Sequence, residues 1–437
     1  MAPQDPVRRT LGPHAAKRVA DLLAPVDAEL ERRYPGDPGT RQPVHTVYVP
    51  ADAFTADTVR TWGDEALAAL DAHAPDAASF ATAVDLDPAL AAEVYPRVRA
   101  KLRDEPVEDL RIDFEDGYGV RPEAEEDADA LRAARLVAAA CAEPEPSRVP
   151  ARIGIRIKCM EAAVRERGIR TLDLFLTALL DTAPRLPARL VLTLPKVTYA
   201  PQVTAMARLL GAFEEARGLA PDGIGFEIQI ETAQAVLGPD GAATVARMID
   251  AGRGRVTALH YGTFDYSAAL GVSAAHQAPD HPAADHAKAV MQLAAAGTGV
   301  RLSDGSTNVL PVGPTERVHA AWRLHHRLVS RALARAYYQG WDMHPAHLPT
   351  RYAAVYAFYR TDWERTADRL AAYAARAGGD VLDEPATARA LAGHLLRGAD
   401  CEALGMDEIT ARGGLSRELL EAFAGRRGHQ ASPSSEG

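Results

Sequence analysis

Six charged or polar residues, Asp113, Arg156, Lys196, Glu231, Asp265 and His344, each stand at or just past the C-terminal end of a short apolar run. The first five are separated by 43, 40, 35 and 34 positions, and the last gap of 79 is about two such steps. One strand, one helix and two short loops fill such a step, so the spacing predicts reactive groups gathered at one end of a parallel barrel. Carboxylates beside a guanidinium and an ammonium suit chemistry at a carbonyl, assisted by a metal ion or by fixed positive charge.

In GFEIQIET the two-residue period of a strand puts Glu227, Gln229 and Glu231 on one face and Phe226, Ile228 and Ile230 on the other. On a barrel strand that polar face points into the lumen or the mouth, and Glu231, at the end, reaches a ligand. The next unit ends HYGTFDYSAALG, where Gly262 and Thr263 open a loop carrying Asp265. Carboxylates on consecutive strand ends can each give one oxygen to a hard divalent ion and leave room for water and a chelating substrate. Glu231 and Asp265 are therefore the expected ligands of Mg²⁺ (or Mn²⁺). The structural alternative is that each pairs with an arginine or caps a helix.

In RIDFEDG, Arg111, Asp113 and Glu115 share a face and Asp116 follows. Such a cluster can hold metal-bound waters, or it can belong to a salt-bridged barrel interior. The cations at hand are Lys196 and, sharing a face in RIGIRIK, Arg156 and Lys158. The planar donors of Arg156 suit a carboxylate, or the enolate oxygen formed when a 2-keto acid loses a bond at its third carbon. Lys196 is expected to act electrostatically, with a Schiff-base amine as the alternative. His344 either fixes the closing strand through a hydrogen bond or serves as general acid or base. Asp113, Gly262, Thr263 and His344 join Arg156 as the candidates for touching substrate.

Eight segments qualify as the strands that must position these residues: 45–50, 110–116, 152–158, 190–197, 224–231, 256–262, a weaker TNVLPV at 307–312, and 340–345. Stretches of helical spacing lie between most of them, including Ala124–Ala140, Gln202–Arg217 and Ala242–Ala251. The expected fold is an α/β (β/α)8 TIM barrel over residues 44–376. A helical lead-in over 1–43 precedes it, a helical appendage or lid over 377–425 follows, and a frayed tail occupies 426–437. His276, His281 and His286 are five apart, off the i,i+4 face of a helical zinc site, and are expected to face solvent.

With 49 Lys+Arg against 59 Asp+Glu the net charge is −10, and no basic block is present to neutralise phosphates in a row, so a nucleic-acid partner is not expected. Three scattered cysteines with no CxxC pair point to neither a disulfide framework nor a zinc knuckle. The polar start MAPQDPVRRT lacks the apolar core of a signal peptide, and no apolar run approaches membrane-spanning length. A soluble, cytoplasmic protein is the expectation.

The elements DFEDG, RIGIRIK, LPKV, IQIET, GTFDYSAALG and GWDMHP occur in an order that resembles the citrate lyase beta-subunit-like group of the HpcH/HpaI aldolase family, within the phosphoenolpyruvate/pyruvate barrel superfamily. The resemblance covers about residues 44–350. It implies a magnesium-dependent carbon–carbon lyase acting on a 2-keto acid or hydroxy acid, or on a coenzyme A thioester, through a metal-stabilised enolate. Carried over by position, Glu231 and Asp265 would be metal ligands, Arg156 the substrate and enolate clamp, and Glu115 and Asp116 the acidic groups around the metal waters. It also implies a homo-oligomer, a trimer or hexamer. The chain departs from the family where the usual Arg-x-Asn reads Arg156-Ile157-Lys158, in the long His-containing stretch 266–312, and in its large C-terminal addition. Two other readings stand beside the lyase: a phosphoenolpyruvate-linked phosphotransferase, against which the absence of a Walker loop counts, and a non-catalytic keto-acid-binding barrel.

Overall fold

A computed structural model of the chain describes residues 10–142, 149–183, 185–375 and 385–426. Its strands are β1 (His45–Pro50), β2 (Asp109–Asp113), β3 (Arg152–Arg156), β4 (Leu190–Leu194), β5 (Phe226–Ile230), β6 (Val256–Tyr261), β7 (Arg301–Ser303) and β8 (Gly340–Asp342). They form one sheet in the order β7-β6-β5-β4-β3-β2-β1-β8, and every ladder is parallel. Between β7 and β8 the contact is a single bridge, Ser303 to Gln339, beside which the Asp304 N–H donates to the Gln339 carbonyl at 2.8 Å. The sheet thus closes into the expected (β/α)8 barrel.

One strand was misplaced by its composition. TNVLPV at 307–312 is irregular, and the seventh strand is Arg301–Ser303. Strand pairing requires proximity to β6, and by residue 307 the chain has left the barrel wall. Val309, Leu310 and Val312 accordingly stay 40–45% exposed.

Alternation along each strand separates two environments. Leu110, Ile112, Ile153, Ile155, Leu192, Phe226 and Ile228 face outward and are buried under the surrounding helices. The alternate positions Asp109, Arg111, Asp113, Arg156, Thr193, Glu227 and Gln229 are equally buried but polar, and they fill the lumen. Between β1 and β2 the chain inserts three helices, Thr58–His73, Ala77–Val84 and Pro88–Asp104. The second starts in a reciprocal capping box between Asp76 and Ser79, and Asp87 caps the third through the Leu90 N–H.

The leading helix Pro13–Arg33 buries none of its residues. At the other end, helices Pro385–Asp400, Met406–Gly413 and Arg417–Ala424 follow the barrel. They bury Leu395, Leu396, Ile409 and Leu420. Arg426 ties this end to the entry loop, donating to Asp400 Oδ2 at 2.7 Å and to Asp37 Oδ2 at 3.3 Å. Within the segments expected to be appendage and tail, residues 377–384 and 427–437 lie outside the described residues. Among the described residues no helix is long and apolar enough to cross a membrane. His276 and His286 are exposed, while half-buried His281 caps helix Pro282–Ala295 by accepting from the Ala283 N–H.

Candidate active site

The lumen is built upward from β2, whose inward residues are Asp109, Arg111 and Asp113. Arg111 lies deepest in charge contacts: Nε donates to Thr193 Oγ1 and Glu227 Oε1, both at 2.9 Å, and Nη2 donates to Glu227 Oε2 at 2.8 Å and Asp109 Oδ2 at 3.1 Å. Burial opposes ionisation of Glu227, but Arg111 and His260 overcome it and hold that carboxylate below its ordinary range. Asp109, sharing the same arginine, is pushed up by burial. For Arg111 and Glu227, then, the salt-bridged interior is the arrangement observed.

One layer higher, Asp113 and Arg156 form a bidentate pair, Nε to Oδ1 at 2.6 Å and Nη2 to Oδ2 at 2.7 Å. Asp113 also accepts the Glu115 N–H at 3.0 Å and the Gly117 N–H at 2.9 Å. Its acceptor positions are therefore filled, and it aims Arg156 instead of reaching outward. The remaining nitrogen, Nη1, lies 3.3 Å from Gln229 Oε1 and 3.7 Å from Glu115 Oε2. Two aromatic rings frame the guanidinium: its carbon stands 4.7 Å from the Tyr48 ring centre and 5.8 Å from that of Trp341. Neither ring was singled out in the sequence, although Tyr48 occupies an inward position of HTVYVP and Trp341 opens WDMHP.

At the rim, Lys196 follows β4 with a left-handed φ of 49°. This backbone turn lets its N–H donate to Glu231 Oε1 at 2.7 Å, while Nζ contacts Asp116 Oδ1 at 2.6 Å, Glu115 Oε1 at 2.8 Å and Asp265 Oδ2 at 3.7 Å. Although burial disfavours its charge, the Asp116 and Glu115 hydrogen bonds hold the ammonium well above its usual range. A firmly protonated amine is a poor Schiff-base nucleophile and a good fixed cation. Burial raises Glu115, and for Asp116 the Lys196 bond outweighs burial and lowers it.

Glu231 is 3% exposed, and burial pushes it up to about 7, with the Asp265 charge adding to the rise and Arg156 opposing it. Gly262 makes room for it, because a Cβ there would stand 2.4 Å from Glu231 Oε2. Asp265, in the first turn of Thr263–Ala269, remains half exposed. The neighbouring Thr263 Oγ1 is buried without a hydrogen-bond partner, and a Cβ on Gly305 would meet it at 2.1 Å. Among the described residues no group of three or more His, Cys, Asp or Glu side chains converges to hold a metal. The Asp265 charge is near enough to raise Glu231, and a pair of carboxylates with several waters is a donor set that Mg²⁺ accepts. A cation there would also relieve the desolvation and repulsion that raise Glu231.

The structure thus brings Asp113, Glu115, Asp116, Arg156, Lys196, Glu231 and Asp265 into one connected cluster at the C-terminal rim. His344 has a different setting. Half-buried after β8, it caps the turn Pro345–His347 by accepting the Ala346 N–H at 3.1 Å, and burial lowers its pKa. Lys158 turns toward helix Glu123–Ala142, bonding Glu126 Oε2 at 2.9 Å and the Phe114 carbonyl at 2.7 Å.

Several solved structures align with this chain. A citrate lyase from Burkholderia xenovorans LB400 aligns with a TM-score of 0.51 and 23% identity over 72% of this chain and 91% of that one. The Haloferax volcanii malate synthase lead(II) complex gives 0.48 and 13%, covering 89% of this chain and 93% of that one. Protein CitE from Mycobacterium tuberculosis, in complex with magnesium, acetoacetate and coenzyme A, gives 0.47 and 18%, covering 82% and 98%. The resemblance to the citrate lyase-like barrels is borne out at the level of the fold. No curated protein sequence matches significantly. Over residues 23–428 the sequence matches one family model, and the chain belongs to that family, described as Domain of unknown function (DUF6986).

Proposed function

We propose that the protein is a carbon–carbon lyase of the aldolase type, acting on a 2-keto acid or hydroxy acid, free or as an acyl thioester. The observation that carries this reading is the rim cluster: Arg156 aimed by Asp113, with Glu231, Asp265 and the Lys196 ammonium beside it, at the end of a parallel barrel where catalytic groups collect. The citrate lyase that shares the fold supports the lyase class.

In this reading Glu231 and Asp265 would hold Mg²⁺, which when bound supplies Lewis-acid polarisation of the substrate's carbonyl. Arg156 binds the substrate carboxylate and stabilises the enolate oxygen as charge develops, because its donors are already oriented by Asp113. Tyr48 and Trp341 shield that guanidinium and exclude water. Glu115, raised by burial, takes the hydroxyl proton as the carbon–carbon bond breaks and returns it to the enolate carbon. Lys196 keeps Asp116 ionised and holds both acidic side chains in place.

The test is release of pyruvate or glyoxylate from a panel of 2-hydroxy diacids, each free and as its coenzyme A thioester, with and without Mg²⁺. Chelation should abolish turnover, and Glu231→Gln should lower kcat/KM at least about a hundredfold. Activity indifferent to both would remove the proposal.

A further inference from the structure

The opposite, N-terminal end of the barrel has its own polar cavity, of about 490 Å³, lined in part by Arg111, Arg152, Glu227, Arg301 and Gln339. Arg152 opens β3 and Arg301 opens β7, so the two arginines reach the same space from separate strands. Asp109 and Glu227, at its inner end, are already engaged by Arg111. Arg152 is half-buried, and its side chain has neither a hydrogen bond nor an ion pair among the described residues. Arg301 spends its donors on neutral oxygens, the Arg41 carbonyl at 2.7 Å and Thr40 Oγ1 at 2.5 Å together with the Thr40 carbonyl.

The nearest carboxylates to Arg301, Asp37 and Asp400, are shared with other guanidinia. Asp400 bonds Arg426 at 2.7 Å and Arg417 at 2.9 Å, and Asp37 lies 3.3 Å from Arg426 and 3.9 Å from Arg397. Burial and the nearby Arg152 charge together push Arg301 down to about 10. Two guanidinia held near each other in a partly desolvated cavity repel, and an anion between them relieves the repulsion.

We infer that the N-terminal mouth is a binding site for a small organic dianion, a phosphate ester or a dicarboxylate, gripped between Arg152 and Arg301. The unpaired Arg152 fork matches two oxygens of either group, and the positive charge of Arg301 beside it matches the second negative charge. The cavity exceeds an inorganic ion, so a carbon skeleton has room beside the charged group. The site stands at the other end of the lumen from the rim cluster and does not depend on the proposed lyase activity.

Isothermal titration of the full-length protein, in chelator and at constant ionic strength, tests this with inorganic phosphate, glycerol 3-phosphate and malonate. At least one probe should bind saturably, and Arg152→Gln should weaken it at least tenfold while the exposed Arg327→Gln, away from the cavity, leaves it unchanged. Because Arg152 has no internal partner, Arg152→Gln should also melt at or above the wild-type temperature in the absence of probe, which excludes misfolding as the cause of lost binding. A response to phosphate and its ester alone identifies the ligand as a phosphate compound; a response to malonate alone identifies a dicarboxylate. No saturable binding, binding untouched by Arg152→Gln, or binding abolished equally by Arg327→Gln overturns the inference.

Discussion

Glu231 combines two demands that conflict, burial and charge. Its folded carboxyl titrates at about 7 against an ordinary value of 4.5, so the folded chain holds this proton more tightly than the unfolded one. The resulting stability is fully present below about pH 4.5 and is lost as pH rises through 7, an effect of at most a few kcal/mol. Thermal melts in chelator should therefore show the protein losing stability between pH 5 and 8. Glu231→Gln should flatten that slope, and Mg²⁺ should offset it in the wild type alone. An unchanged slope in the variant would mean that other groups control the pH response. The residue itself was legible in the sequence because strand alternation ends on it. Its altered acidity was not, since desolvation comes from neighbours contributed by β3, β4 and the 262–265 turn.

At the scale of elements, the strand ends carry the design. Lys196 can serve both Glu231 and the acidic pair only because its backbone turns left-handed just after β4. Glu231 fits only because residue 262 has no side chain. Gly262→Ala should displace that carboxylate, costing about 1–3 kcal/mol in thermal or denaturant unfolding. It should also weaken Mg²⁺ binding in a titration by at least about tenfold; wild-type values for both would show that the turn yields freely. Strand ends were readable where apolar and polar residues alternate over five positions, as in β2 and β5. β7 was not, because three residues, Arg301, Leu302 and Ser303, are too few to show a period, and the apolar TNVLPV nearby imitates one. Depth along a strand was also hidden. Arg111 and Glu227 share faces with Asp113 and Glu231, yet sit in the closed interior while their neighbours two or four residues on meet the rim.

Over the whole molecule, the two termini make unequal contributions. Helix Pro13–Arg33 buries nothing, so removal of residues 1–33 should shift the melting temperature by no more than about 2 °C. Removal of everything after residue 375 strips Leu395, Leu396 and Leu420 from the core and releases the Arg426 tie to Asp37. That truncation should aggregate or melt at least about 10 °C lower, since each lost large apolar side chain is worth 1.5–3 kcal/mol. Scanning calorimetry of both truncations checks the contrast, and equal melting temperatures would refute it. The barrel was legible at this scale because the repeat of strand and helix is long-range and regular. The insertion of three helices after β1 left no comparable mark, as amphipathic helices there read like any others.

Arg111, with Asp109, Thr193 and Glu227 closed around it, acts as a bulkhead across the middle of the tube. A solute entering from the N-terminal side meets fixed charges already engaged with one another, Glu227 with Arg111 at 2.8 Å and with His260 at 3.0 Å. The same buried charges stand behind both ends of the tube, so a charge taken up at one end is felt at the other through the electric field.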